Sequence, residues 1–219
     1  MISVVIPTLN AEHVLPRCFD SLIPAAVRGV VREVIIADGG SSDGTLAVAD
    51  AAGAHVVSAG RSRSAQLIAG AARARSDWIL FLLPEIALES GWEAEVESFL
   101  AGATPEYPRA AVFHFALDDF GGEARRAEAK ANLRAWLLAL PYGDQGLLIP
   151  KRLYKKLGGY RALARMEDAD LIRRIGRRRL VSLRARAVNA ARPRDGALRG
   201  LWLSVLHTLR IPAWVVAKL

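Results

Sequence analysis

Short apolar runs that end on turn formers alternate, along this chain, with stretches whose apolar positions recur at helical spacing. The first run lies in Met1-Ile2-Ser3-Val4-Val5-Ile6-Pro7-Thr8-Leu9-Asn10-Ala11-Glu12. It reads as a buried strand leading into a helix capped by Asn10, with Pro16 close enough to the helix start to be tolerated. With a strand beginning at Ile2, no signal peptide is expected ahead of it. The second run, Val34-Ile35-Ile36-Ala37, ends on Asp38 and turns through Gly39-Gly40-Ser41-Ser42-Asp43-Gly44, where Ser42 or Asp43 can cap the next helix. The pattern then predicts a helix over 44–52, a strand over 55–58 and a helix over 63–75 stopped by Ser76-Asp77. A strand over 78–83 follows, ended by Pro84, then an amphipathic helix over 89–100 and a strand over 110–117. A helix over 123–140, a turn cluster over 141–146 and a helix over 167–177 complete the regular part.

This alternation predicts an α/β, Rossmann-like domain: a mainly parallel sheet with helices on both faces. No repeat, low-complexity segment or linker divides residues 1–219, so a single domain is expected. The C-terminal segment is different. Leu201, Trp202, Leu203, Val205, Leu206, Leu209, Ile211, Trp214, Val215 and Val216 make it apolar, but Arg199, His207, Arg210 and Lys218 interrupt it and Pro212 breaks it. Those charges and Pro212 argue against a spanning helix. Two readings stand for 195–219: a helix docked on the sheet domain, or an interfacial helix on an anionic bilayer. Pairing with a second copy, as a homodimer, is left open.

A hydrophobic content of 52% with 24% charged residues excludes a disordered chain. The lone Cys18 excludes a disulfide framework and a cysteine-based zinc site, and fits a reducing, cytoplasmic compartment. The net charge of +8 is unevenly distributed. Residues 1–150 carry 12 Lys/Arg against 18 Asp/Glu, a balance of −6, whereas residues 151–219 carry 18 against 4, a balance of +14. Such asymmetry suits an acidic partner or, equally, a solvated arginine-rich surface. Nucleic acid is the weaker partner, because no aromatics interleave Arg173, Arg174, Arg177, Arg178, Arg179, Arg184 and Arg186.

Open α/β sheets bind ligands at the carboxyl ends of their strands. There the chain offers Pro7, Thr8, Asn10 and Glu12 after the first strand, Asp38 and Gly39 after the second, and Arg63 after the third. A strand ending on a carboxylate, with backbone N–H groups bunched behind it, suits a ribose or base on one side and phosphate on the other. No Gly-x-Gly-x-x-Gly follows the first strand, so this is no dinucleotide fingerprint. Two acid clusters lie further on: Tyr142-Gly143-Asp144-Gln145-Gly146, and Gly158-Gly159-Tyr160 followed by Met166-Glu167-Asp168-Ala169-Asp170. Glu167-Asp168 opens a helix, where carboxylates can simply meet the dipole.

Taken together, Ser3 to Glu12 and Val34 to Thr45 resemble the opening of a family 2 glycosyltransferase. Arg63-Ser64-Ala65-Gln66, Leu117-Asp118-Asp119-Phe120, Leu140 to Gly146 and Met166-Glu167-Asp168 occur in the order of its small subgroup, the radical-SAM/selenodomain-associated transferase 2 type. The resemblance implies a GT-A fold, with residues 1–100 as the nucleotide-sugar half and 101–190 as the acceptor half. It implies a nucleotide diphosphate sugar donor, UDP- or GDP-linked, and inversion at the anomeric carbon. Asp168 would be the catalytic base, with Glu167 as its substitute. Asp38 would hold the nucleoside, Thr8 and Glu12 would line its pocket, and Asp144 and Gln145 would bound the acceptor side. The family's Asp-x-Asp, which binds a divalent metal (Mg or Mn), is degenerate here: the strand ends Leu82-Leu83-Pro84-Glu85, leaving Glu85 as a weak metal ligand. Arg173, Arg177 or Arg192 could replace the metal as charge clamps. The alternative is a GT-A-fold binding protein that has lost catalysis.

Overall fold

The computed structural model describes residues 1–119, 121, 126, 128–129 and 143–190. Nearly all of the helix expected over 123–140, the turn residues Pro141 and Tyr142, Arg192 and the segment 195–219 lie outside these.

Among the described residues eight strands form one sheet in the order β3-β2-β1-β4-β7-β6-β8-β5. They are β1 (Ile2–Thr8), β2 (Val31–Asp38), β3 (His55–Ser58), β4 (Trp78–Phe81), β5 (Ile86–Leu88), β6 (Ala110–Leu117), β7 (Leu147–Pro150) and β8 (Leu180–Asn189). β1 runs parallel to β2 and β4, β2 to β3 and β6 to β8, while β7 is antiparallel to both neighbours and β5 is antiparallel to β8. Parallel pairing therefore predominates, four neighbour pairs to three among the described residues.

β1 is apolar at nearly every position because both faces of the sheet are covered. Val4 and Ile6 face one core, with Leu15 and Cys18 of α1 (Leu15–Val27), Ala49 of α2 (Thr45–Ala51) and Trp92 of α4 (Trp92–Ala101). Val5 faces the other core, with Leu67 of α3 (Arg63–Arg73), Leu153 of α5 (Lys151–Lys156) and Leu171 of α6 (Glu167–Ile175). The expected mainly parallel sheet with helices on both faces is what forms.

Several boundaries differ from the expectation. α1 begins at Leu15 with Val14 as its N-cap, and Asn10 takes a positive φ of 55° in the preceding loop instead of capping the helix. α4 begins at Trp92 because Gly91, at φ 88°, turns the chain into it. α6 stops at Ile175, where Gly176 leaves the helix at φ 79°. β5, β7, β8 and α5 were not expected. β5, β7 and α5 are too short to show a period, and the arginines at 184 and 186 break up the alternation of β8.

Candidate active site

β1 and β2 are hydrogen-bonded side by side, Thr8 opposite Asp38, so both chains leave the sheet at the same edge. Asp38 is 5% exposed, and its carboxylate is the hub of the turn that follows. Oδ1 accepts from Thr8 Oγ1 (3.1 Å) and Ser41 Oγ (2.5 Å), and Oδ2 accepts from the Gly40 and Ser41 N–H groups (2.9 Å each). Burial pushes the carboxyl upward, but the bonds from the Ser41 hydroxyl, the Ser41 and Gly40 amides and Thr8 outweigh it and hold Asp38 below the ordinary aspartate value. Asp38 therefore stays ionised and keeps backbone amides gathered around a negative charge.

Asn10 and Glu12 cross to the same turn. Asn10 Oδ1 accepts from Ser42 N–H (2.8 Å), Glu12 Oε2 from Gly44 N–H (2.8 Å), and Asp43 Oδ1 from Thr45 N–H (3.0 Å). These bonds, with Ala11 N–H to Thr45 Oγ1 at 2.8 Å, stitch the loops after β1 and β2 into one unit. Pro7 is buried within β1, and the Gly39 N–H bonds the Thr8 carbonyl at 2.8 Å. Of the residues expected to bind a donor, the first four thus build the loop frame around Asp38. Gly39 allows close approach: a Cβ there would lie 2.2 Å from Gln66 Nε2 and 3.3 Å from Arg61 Cα.

Gln66, buried, and Arg63 lie three residues apart on neighbouring turns of α3, and α3 is capped by the Ser62 hydroxyl, which accepts from Ala65 N–H (3.3 Å). From the start of this helix Arg63 reaches the far half of the chain. Its Nε donates to Glu167 Oε1 and its terminal nitrogen to Asp168 Oδ2 at 2.8 Å. Both carboxylates are buried, at 3% and 8% exposure. Desolvation works against the Arg63 cation, but Asp168 and then Glu167 outweigh it and raise its affinity for the proton. The pair at the start of α6 is thus more than a helix-dipole contact.

Asp168 has a second partner that sequence reasoning missed. The Tyr160 hydroxyl donates to Oδ1 at 3.0 Å, and Tyr160 N–H donates to the Tyr154 hydroxyl at 3.0 Å. Burial, then the Asp168 charge, pushes the Tyr160 phenol well up, so it remains a donor. The signal was present in Gly158-Gly159-Tyr160. Gly159 has φ 63°, and a Cβ there would meet the Tyr154 ring at 2.9 Å, so the turn that delivers Tyr160 tolerates little but glycine.

Asp168 and Tyr160 open onto a small cavity walled by Phe81, Leu82, Leu83 and Gly146. Its volume of about 20 Å³ is room for one water-sized group, such as a hydroxyl. Asp144 and Gln145 lie in the 3-10 turn Gly143–Gln145 before β7; Gln145 is buried, and Gly146, which follows the turn, is on the cavity wall.

At the end of β4 the protein's own metal ligands are few, and Glu85 would hold a divalent ion together with phosphate oxygens of the donor. Only Glu85 offers a carboxylate there, beside Leu82, Leu83 and Pro84, and no group of three His, Cys, Asp or Glu is gathered anywhere among the described residues. Arg173 and Arg177 are exposed, and neither lines the cavity at Asp168.

Residues 3–82 match the model of glycosyl transferase family 2. Over nearly its whole length the structure superposes on that of glucosyl-3-phosphoglycerate synthase from Mycobacterium tuberculosis. Its complex with Mn²⁺ and UDP-glucose gives a TM-score of 0.67 at 23% identity, covering 97% of this chain and 80% of that one. Its complex with Mn²⁺, UDP-glucose and phosphoglyceric acid gives 0.67 at 24% identity with the same coverage. The fold is that of a GT-A glycosyltransferase. Curated glucosyl-3-phosphoglycerate synthases from Mycobacterium tuberculosis and Mycobacterium bovis are 49% identical over 57 residues, 26% of this chain. That stretch spans 17% of their own length. In this GT-A frame the Asp38 turn belongs to the segment matched by the family model, and the Arg63 contact ties it to Asp168 of the other half.

Proposed function

We propose that this chain is an inverting glycosyltransferase that moves a sugar from a nucleotide diphosphate donor to a hydroxyl acceptor. One observation carries the reading: Arg63, rooted beside the Asp38 turn, meets Glu167 and Asp168 from the opposite half, with a hydroxyl-sized cavity alongside. The ordered motifs, and above all Tyr142 to Gly146 and Met166 to Asp168, support placement in the radical-SAM/selenodomain-associated transferase 2 subgroup.

A single displacement needs one base within hydrogen-bond reach of the attacking hydroxyl. Asp168 is that base; Arg63 and Tyr160 orient its two oxygens, and Glu167 shares the Arg63 charge and is the substitute base. As the acceptor oxygen attacks the anomeric carbon, its proton passes to Asp168 and the bond to the diphosphate breaks. The Asp38 turn holds the nucleoside, with Pro7, Thr8, Asn10, Glu12 and Gly39 around it. Asp144 and Gln145 back the acceptor side. Positive charge is required where the diphosphate leaves, and Arg61, exposed beside Gly39, supplies it with the α3 N-terminus.

UDP-glucose and phosphoglycerate, the ligands of the related synthase, are the first donor and acceptor to try, with GDP-glucose as comparator. Calorimetry should show saturable UDP binding; absence of binding by either nucleotide diphosphate ends the proposal. Asp168→Asn should lower kcat by about 10²–10⁴-fold while donor affinity stays within about twofold. Retained turnover would remove Asp168 as the base, and binding without transfer to any acceptor would favour the catalytically impaired alternative. No described helix is long and apolar enough to cross a membrane. A cytoplasmic location, contact of 195–219 with an anionic bilayer, and a homodimer are proposals from sequence, tested by fractionation, vesicle flotation and light scattering.

A further inference from the structure

A second and much larger cavity, of about 580 Å³, opens at the other end of β4, away from Asp168. This is within the size range of small-molecule sites. Its wall draws together the turn before β4, the loop after α4, and the start of α5, which are separate in sequence. Four cations line it: Arg75, Lys151, Arg152 and Lys155. Lys151 Nζ gives one of its three donors to the Ala74 carbonyl, Arg152 makes a long 3.5 Å contact to the Thr104 carbonyl, and Lys155 is exposed with no ion pair among the described residues.

Two further features distinguish this wall from a solvated basic surface. Ser76, 4% exposed, lines the cavity, and its buried hydroxyl has no hydrogen-bond partner among the described residues, which is costly for a buried polar group. Half-buried Trp78, with Leu100 and Pro150, supplies an apolar side. Against the four cations stand Asp77 on the wall and Glu33, 4.0 Å from Arg75. A concave wall with this excess concentrates positive potential more than the same charges spread on a convex surface.

We propose that this cavity is a binding site for a small phosphorylated molecule, its phosphate taken by Arg75, Lys151, Arg152 and Lys155 and its carbon body lying along Trp78. Guanidinium and ammonium donors together suit a phosphate dianion. The site is separate from the transfer chemistry and stands whether or not that activity does.

Inorganic phosphate and phenyl phosphate are the probes, titrated calorimetrically into the full chain at low and physiological salt. Both should bind saturably, phenyl phosphate about fivefold or more tighter, with affinity falling as salt rises. Arg152→Ala/Lys155→Ala, two exposed positions, should weaken both probes at least tenfold at unchanged melting temperature, and Ser76→Ala serves as an independent second variant with weaker binding expected. Equal affinity of the double variant and the parent, or no saturable binding below about 10 mM, overturns the proposal. So does capture by phosphatidic acid vesicles that phenyl phosphate fails to displace, since the ligand would then be a membrane surface.

Discussion

At Asp38 a single carboxylate accepts four hydrogen bonds and thereby sets the shape of the loop a donor would meet. Asn at this position is nearly isosteric but cannot accept at both ends. Asp38→Asn should therefore cost about 1–3 kcal/mol, measured by urea unfolding. The sign of the pH effect follows from the lowered folded-state value. The carboxylate's contribution is complete above the unfolded aspartate value of about 3.9 and is lost as the pH falls through the lower folded value. The stability gap between parent and variant should thus be constant near neutrality and close at strongly acid pH. Tyr160 acts on Asp168 through its hydroxyl alone, while its ring packs on Phe81 and Tyr154. Tyr160→Phe should lower kcat about tenfold, the worth of one bond to a charged group, and shift the pH–rate profile while leaving donor KM unchanged. An unmoved pH profile would show that Tyr160 is only packing.

Among the elements, α3 links the two halves, and its placement rests on one small residue. A Cβ at Gly70 would come within 2.3 Å of Val5 Cγ1, so the helix lies directly on β1. Gly70→Ala should push α3 outward, cost about 1–3 kcal/mol by overpacking, and reduce kcat by displacing Arg63; an unchanged melting temperature would mean that the sheet yields instead. The start of α3 at Arg63 was legible and its end, at Arg73 instead of 75, nearly so, because its Ala-rich run and the Ser76-Asp77 stop agree. β7 and β8 were not: their place is set by cross-strand pairing with β4 and β6, partners that are far away in sequence.

For the molecule as a whole, the absence of a gathered carboxylate set at the end of β4 is a departure that can be measured. Without nucleotide, Mn²⁺ should show no submillimolar site by paramagnetic resonance, whereas Leu83→Asp, placing a second carboxylate near Glu85, should create or tighten one. Tight Mn²⁺ binding by the parent would show that Glu85 is enough. The related synthase was crystallised with Mn²⁺ in the same fold, and the shared fold does not by itself fix the ligands at the end of β4.

Local chemistry alone determined the class of the fold and the strand–turn–helix corner at Asp38, because apolar period and turn residues act over a few neighbours; for Glu167 and Asp168 it indicated a helix start, and their candidacy came from the family resemblance. Only the tertiary structure decided that Arg63 crosses to those acids, that Tyr160 orients Asp168, and that Asn10 and Glu12 bind the neighbouring loop. These contacts join residues from 8 to 105 positions apart. Nothing within a helical turn or a strand encodes them; they exist because buried polar groups must find partners wherever the packed sheet and helices bring them.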